Sequence, residues 1–348
     1  MSSLTETAYY TRKGLKFGAI FLVVFLLLRA IFIQAVKVLT PPPPPPTPSV
    51  CFGKIPAIKF PDSTANPPFY PRLETLDNQL PSLPNMVNLY FIPKQSFNLF
   101  TLERAKNWAN QLGFLGEPET IGESVQVYKT PNLPTTTLKL NIIYENFSLV
   151  YDYQSDFTLI GLKNSPGKEQ AISEARGFFQ RTGVLTPDLA NGSQDVVFLK
   201  YNPPNLEPAI APSEADFTRV NFFRQNLNEI KVLPPNPQKS LVSVLISGSS
   251  DPQKRILEVN YTHFQISETD ACTYPLKSVE QAWQEVKDNK LFLANFGQNY
   301  DGQVVIKEIY LAYFDPPDEQ NFLLPIYVFE GDRDFLGYVG ALDPKVTN

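Results

Sequence analysis

The chain has 348 residues, 43% of them hydrophobic and 19% charged, enough to build two or three domains around a sizeable core. A net charge of -5 supplies no basic field for phosphates, which argues against nucleic acid as a partner. With 33 prolines against 17 glycines, rigid connections should be many and long helices few.

The first element in chain order is apolar. Phe17 to Leu28 is an uninterrupted run of apolar or glycine residues, and apolar character continues from Ala30 to Val36, interrupted only by Arg29 and Gln34. Twenty helical residues span about 30 Å, the thickness of a bilayer's hydrocarbon layer. The expected organisation therefore begins with a cytoplasmic tail, residues 1–14, and a single-pass transmembrane anchor, residues 15–38. Arg12, Lys13 and Lys16 precede the run, so the positive-inside rule places the remainder of the chain outside the cytoplasm. No small-x-small cleavage site comes after the run, which favours an uncleaved anchor over a signal peptide. Arg29 and Gln34 have two readings: Arg29 snorkels to the outer interface, or the two residues contact a partner helix within the membrane.

Residues 39–84 read as a proline-rich spacer and lead-in, opening with Pro41 to Pro46, which is expected to form a polyproline II rod. Cys51 and Cys272 both fall on the exported side, where oxidation is permitted. A bridge between them and two separate thiols stand as equal readings.

An amphipathic helix followed by several strands then recurs three times, dividing the chain into units 85–160, 161–270 and 271–348. The first helix is expected from Thr101 as cap to a stop at Gly113, with Leu102, Ala105, Trp108 and Leu112 on one face. Strands Val125–Lys129, Thr137–Tyr144 and Phe147–Tyr153 come next, with a tight turn at Asn146. The second helix opens at Ser165-Pro166 and ends at Gly183. Its strands are Val196–Tyr201, Phe217–Phe223, Leu241–Ser247 and Ile256–Phe264. The third helix begins with Ser278 and Gln281 in capping-box spacing, ahead of strands Val304–Tyr313, Leu324–Glu330 and Phe335–Leu342. The fold class expected is α+β: a single N-terminal transmembrane helix followed by exported repeats of one helix packed on an antiparallel sheet.

The residue inventory limits the chemistry. His263 is the one histidine, and it is expected on the surface or edge of the strand Ile256–Phe264. Every Ser-His or Cys-His catalyst would need it, and no nucleophile-elbow glycine pattern is present. Ser165 and Lys168 have S-x-x-K spacing, but Pro166 and Gly167 read as ordinary helix-start chemistry. One histidine and two distant cysteines do not make a usual zinc site. The acidic clusters Glu330, Asp332, Asp334 and Asp315, Asp318, Glu319 read as solvated turns rather than calcium sites. Asn146, Asn191 and Asn260 each open an N-x-S/T triplet, a pattern too common to build on. No catalytic, cofactor-binding or metal-ligating residue is assigned, and no cofactor is expected.

The C-terminal stretch Ser278 to Leu342 carries Glu280-Gln281-Ala282 at a helix start, then Leu324-Pro325-Ile326-Tyr327-Val328-Phe329-Glu330-Gly331-Asp332 and Tyr338-Val339-Gly340-Ala341. It resembles the terminal domain of the YycH/YycI regulatory proteins and is similar to PepSY-type domains. The resemblance implies a non-enzymatic, membrane-anchored protein of the bacterial cell envelope that binds another membrane or envelope protein, a sensor kinase among the candidates. The alternative reading is a structural component of an envelope or secretion assembly.

Overall fold

The computed structural model describes residues 4–39, 47–62, 66–94 and 98–348, and it falls into two units, Met1–Thr47 and Pro48–Asn348. The first contains one helix, α1 (Leu4–Leu39). Among the described residues no helix is long and apolar enough to cross a membrane, which corrects the expected transmembrane helix. The uninterrupted apolar run Phe17–Leu28 covers only about 18 Å of helix, short of the roughly 30 Å needed. Arg29, which ends that run, is exposed. The side chain of Gln34 and the run Pro41 to Pro46 lie outside the described residues.

The second unit is dominated by strands. In chain order its strands begin with β1 (Tyr70–Leu73) and β2 (Met86–Phe91), followed by helix α2 (Leu99–Gln111). Next come β3 (Glu119–Ile121), β4 (Val125–Lys129), β5 (Thr136–Asn141) and β6 (Phe147–Tyr151). Helices α3 (Lys168–Arg181) and α4 (Pro187–Ala190) precede β7 (Gln194–Asn202), β8 (Asn205–Pro208) and β9 (Phe217–Phe222). The chain continues through β10 (Lys231–Leu233), β11 (Val242–Ser247), β12 (Ile256–Tyr261) and β13 (Ser267–Pro275) to α5 (Val279–Lys287). It closes with β14 (Phe292–Asn295), β15 (Gln303–Phe314), β16 (Phe322–Gly331) and β17 (Leu336–Gly340).

These strands make two sheets. One has nine antiparallel strands in the order β3-β4-β5-β6-β12-β11-β9-β7-β8. The other has eight, with β1-β15-β16-β17-β14 as its spine, β10 also on β15, and β2 joining β16 to β13. Both β1 and β10 run parallel to β15. Residues 85–160 and 161–270 thus share one sheet while sending β2, β10 and β13 to the other, so the expected helix-on-antiparallel-sheet repeats do not form. Sheet edges supply the physical reason: small separate sheets would each expose two rows of unpaired backbone groups, whereas merging them leaves fewer open edges.

One face of the nine-stranded sheet is covered by α2 and α3, whose Ala105, Ala109, Ala171 and Ala175 let the helices approach Val220, Phe222, Val244 and Val259 closely. The helix starts are set locally. Asn98, not Thr101, caps α2: its Oδ1 accepts from the Thr101 backbone N–H at 3.1 Å, and Thr101 Oγ1 accepts from the Asn98 N–H at 3.2 Å. Ser278 and Gln281 close the same reciprocal cap on α5, which packs Val279, Ala282 and Val286 into the core of the eight-stranded sheet.

The segment before β1 is strapped across the eight-stranded sheet. Cys51 and Cys272 form a disulfide with their Cα atoms 6.0 Å apart. Beside it the Val50 N–H donates to the Thr273 carbonyl at 3.1 Å, and fully buried Ile55 bridges to Thr347 near the C-terminus.

Candidate functional site

The chain passes between the two sheets after β2, after β9, after β10 and after β12. Two of these crossings carry Arg224 and His263. Both side chains are buried, Arg224 at 3% exposure and His263 at 4%. His263 is therefore not the strand-surface residue expected. Strand β12 ends at Tyr261, and His263 turns inward in the crossing beyond it.

Around Arg224 the chain assembles a closed charge network. Its Nε donates to Asp315 Oδ1 at 2.9 Å, its Nη1 to Asp188 Oδ2 at 2.9 Å, and its Nη2 to the Phe264 carbonyl at 2.8 Å. Asp315 comes directly after β15 of the eight-stranded sheet, whereas Asp188 lies in α4 beside the nine-stranded one. The guanidinium thus ties the two sheets through a hydrogen-bonded ion pair on each side, buried toward Asp315 and half-buried toward Asp188. His263 Nε2 stands 2.8 Å from Asp188 Oδ2, 3.0 Å from Arg224 Nη1 and 3.3 Å from Thr186 Oγ1. Nε2 thus faces an acceptor, Asp188, and a donor, Arg224 Nη1, and the ring's protonation decides which of the two it bonds. The His263 backbone N–H donates to Asn146 Oδ1, which anchors the crossing to the β5–β6 turn.

Asp188 and Arg224 are also held by a close backbone approach. The Gln225 N–H donates to the Asp188 carbonyl at 2.8 Å, and a Cβ on Gly192 would overlap the Phe223 carbonyl oxygen. Only glycine lets the turn after α4 lie against the exit of β9. Gly192→Ala should therefore lower the thermal midpoint by several degrees, corresponding to about 1–3 kcal/mol of overpacking, read in a melting curve of the full chain.

The electrostatics derive from burial and partners. Burial, then the Arg224 charge, push the His263 imidazole below its ordinary value, against the pull of Asp188. Burial alone would raise the Asp188 carboxyl, but the His263 hydrogen bond and the charges facing it hold it well below the carboxylate range. Burial raises Asp315 even with Arg224 beside it. The signs give a testable pH dependence. Because the folded His263 pKa lies below its unfolded value, its contribution is complete above about pH 6.5 and is lost as pH falls through the lower folded value. Asp188 contributes above its ordinary carboxylate pKa and is lost as pH falls below it. Asp315 acts oppositely, its contribution fading as pH rises. The stability of the wild type should therefore fall between pH 7 and pH 5 more steeply than that of His263→Gln, as read by denaturant titration.

Beside this network lies a cleft of about 210 Å³ lined by Thr186, Asp188, Arg224 and His263 together with the rim residues Gln225, Gln265 and Glu268. The side-chain hydrogen-bond contacts to the imidazole converge on Nε2, and among the described residues no hydroxyl or thiol nucleophile is set across the ring from a carboxylate as a triad requires. A larger groove of about 440 Å³ runs between the strap and β17, but the cationic group of its buried Lys277 is already paired with Glu285.

The other sequence candidates are dispersed. Ser165 and Lys168 do not share a helix, since α3 begins at Lys168 and the Pro166 carbonyl accepts from Thr218 Oγ1. Glu319 pairs with Lys94 rather than joining Asp315, which is buried in the network. Among the described residues no group of three or more His, Cys, Asp or Glu side chains is placed to hold a metal ion. Asp188 and Arg224 carried no signal in the sequence beyond Thr186-Pro187-Asp188 as a short helix start; only the tertiary crossing brings them together.

No family model matches the chain, and no curated protein matches it. Among solved structures, an uncharacterized protein from Eubacterium rectale ATCC 33656, determined by crystallography at 1.45 Å resolution, is similar over 74% of this chain and 83% of its own. The identity is 10% and the TM-score 0.31, too low to carry a conclusion about fold or function.

Proposed function

We propose that this chain is a non-enzymatic interaction module of an extracytoplasmic compartment, with the cleft between its two sheets as a recognition site. The observation that carries the reading is the network itself: the one histidine, the buried arginine and both carboxylates are engaged with one another between the sheets, which leaves no free nucleophile–base pair among them. The groups left facing the cleft are suited to binding rather than bond breaking. The Cys51–Cys272 bridge supports the compartment, because disulfides persist where the environment is oxidising. A bacterial envelope protein is the partner class implied by the resemblance of Ser278 to Leu342, with a membrane sensor kinase as one member of it.

Crosslinking in intact cells with mass spectrometry tests the proposal. A regulatory module should be recovered with one or two discrete envelope proteins, with the disulfide oxidised. Recovery only in very large assemblies would favour a structural role. Hydrolase activity abolished by His263→Ala or Ser165→Ala in a protein that remains folded would overturn the non-enzymatic reading.

A further inference from the structure

The cleft between the sheets has a one-sided charge. Among the described residues the only cation lining it, Arg224, is 3% exposed, and each of its three nitrogens already donates within the protein. Asp188 is different: its side chain remains 27% exposed although its carboxylate already accepts from Arg224, His263 and the Thr186 side chain. A carboxylate offers about four acceptor sites, so capacity for another donor remains. Glu268, at the start of β13, adds a second carboxylate to the lining and is exposed, while the neutral side chains of Gln225 and Gln265 line the same cleft. Leu227 and Ile266 give the cleft apolar wall between these polar groups. An anion entering here would meet carboxylates and find no free cation among the lining residues. A cation on an aliphatic stem would find carboxylates at its head and apolar surface along its methylenes.

We infer that the cleft takes a cationic side chain, the ammonium of a lysine or the guanidinium of an arginine, presented by a protein partner. Asp188 forms the fixed end of the site because Arg224 and His263 hold its carboxylate in place, and Glu268 forms its adjustable end. The overall charge of -5 is of the sign that draws a basic partner. This inference rests on the binding reading of the cleft and gives that reading a chemical class.

The test uses the full chain and three fluorescent probes: a hexalysine peptide, a hexaarginine peptide and a hexaglutamate peptide, followed by anisotropy at low and physiological salt. The two basic peptides should bind and the acidic one should not. Glu268→Gln, whose carboxylate makes no ion pair among the described residues, should weaken the better basic peptide about three- to fivefold, the scale of one exposed charge pair. Asp334→Asn, at the β16–β17 turn, should leave binding unchanged and controls for general attraction to an acidic protein. Asp188→Asn should abolish binding, with circular dichroism confirming that the variant folds. The inference is overturned if neither basic peptide binds, or if Glu268→Gln binds as the wild type does, or if Asp334→Asn weakens binding equally. Any of those results together with a discrete partner in the crosslinking experiment would leave the interaction module standing and remove only the cationic ligand.

Discussion

Arg224→Met should destabilise the folded unit by about 3–5 kcal/mol, the cost of removing one member of a buried, hydrogen-bonded ion pair. The loss is not that of a surface salt bridge. Arg224 is 3% exposed, and its removal leaves the Asp315 carboxyl buried without its cation, the Phe264 carbonyl without its donor, and Asp188 without its guanidinium. Asp315 already sits where burial disfavours its charge, so it should take up a proton in the variant. The variant should consequently regain part of its stability on acidification toward pH 5, where the wild type loses stability through His263. This opposite slope, measured by denaturant titration at several pH values, separates loss of the network from a general packing defect.

Replacing both cysteines, Cys51→Ser with Cys272→Ser, is expected to cost up to about 5 kcal/mol, because the bridge closes a loop whose ends are 221 residues apart. On the chain-entropy account that cost falls mainly on the unfolded state. The native strap has other attachments: the Val50 and Thr273 backbones, Ser49 on Thr273, Phe52 on Tyr274 and Phe322, and buried Ile55 against the C-terminus. The double variant should therefore melt well below the wild type while its strap, under native conditions, stays resistant to proteolysis near Phe52. Rapid cleavage there in the folded variant would show instead that the disulfide holds the strap in place.

Local signals in the sequence placed many of the strands and the start of α5. Ser278 and Gln281 read as a capping box because that motif lies within four residues and satisfies its own backbone donors. Strand β12 alternates as its sequence does, with Leu257, Val259 and Tyr261 buried and Glu258 and Asn260 on the more open face. What escaped was non-local. Strand β1 lies in a stretch whose prolines suggested only a lead-in, and β2 lies just beyond it, ahead of the first expected helix where no strand was expected; they are strands because β15, β13 and β16 offer them partners. The apparent repeat of helix and strands had no means of showing that neighbouring units share one sheet. The site was hidden for the same reason, since Asp188, Arg224, His263 and Asp315 are far apart in sequence and Asp315 has the local look of a turn residue beside two prolines. Rarity was the one legible hint: a lone histidine in 348 residues, which the structure buries.

A double-mutant cycle of Arg224→Met with Asp315→Asn tests most directly the claim that this network joins the two sheets, and that the cleft beside it is shaped by that junction. Removing both partners should cost clearly less than the sum of the single changes, with a coupling of about 1.5 kcal/mol or more, since the second change relieves the charge that the first strands. Additivity to within about 0.5 kcal/mol would mean that the two residues do not interact in the folded protein, and would contradict the account.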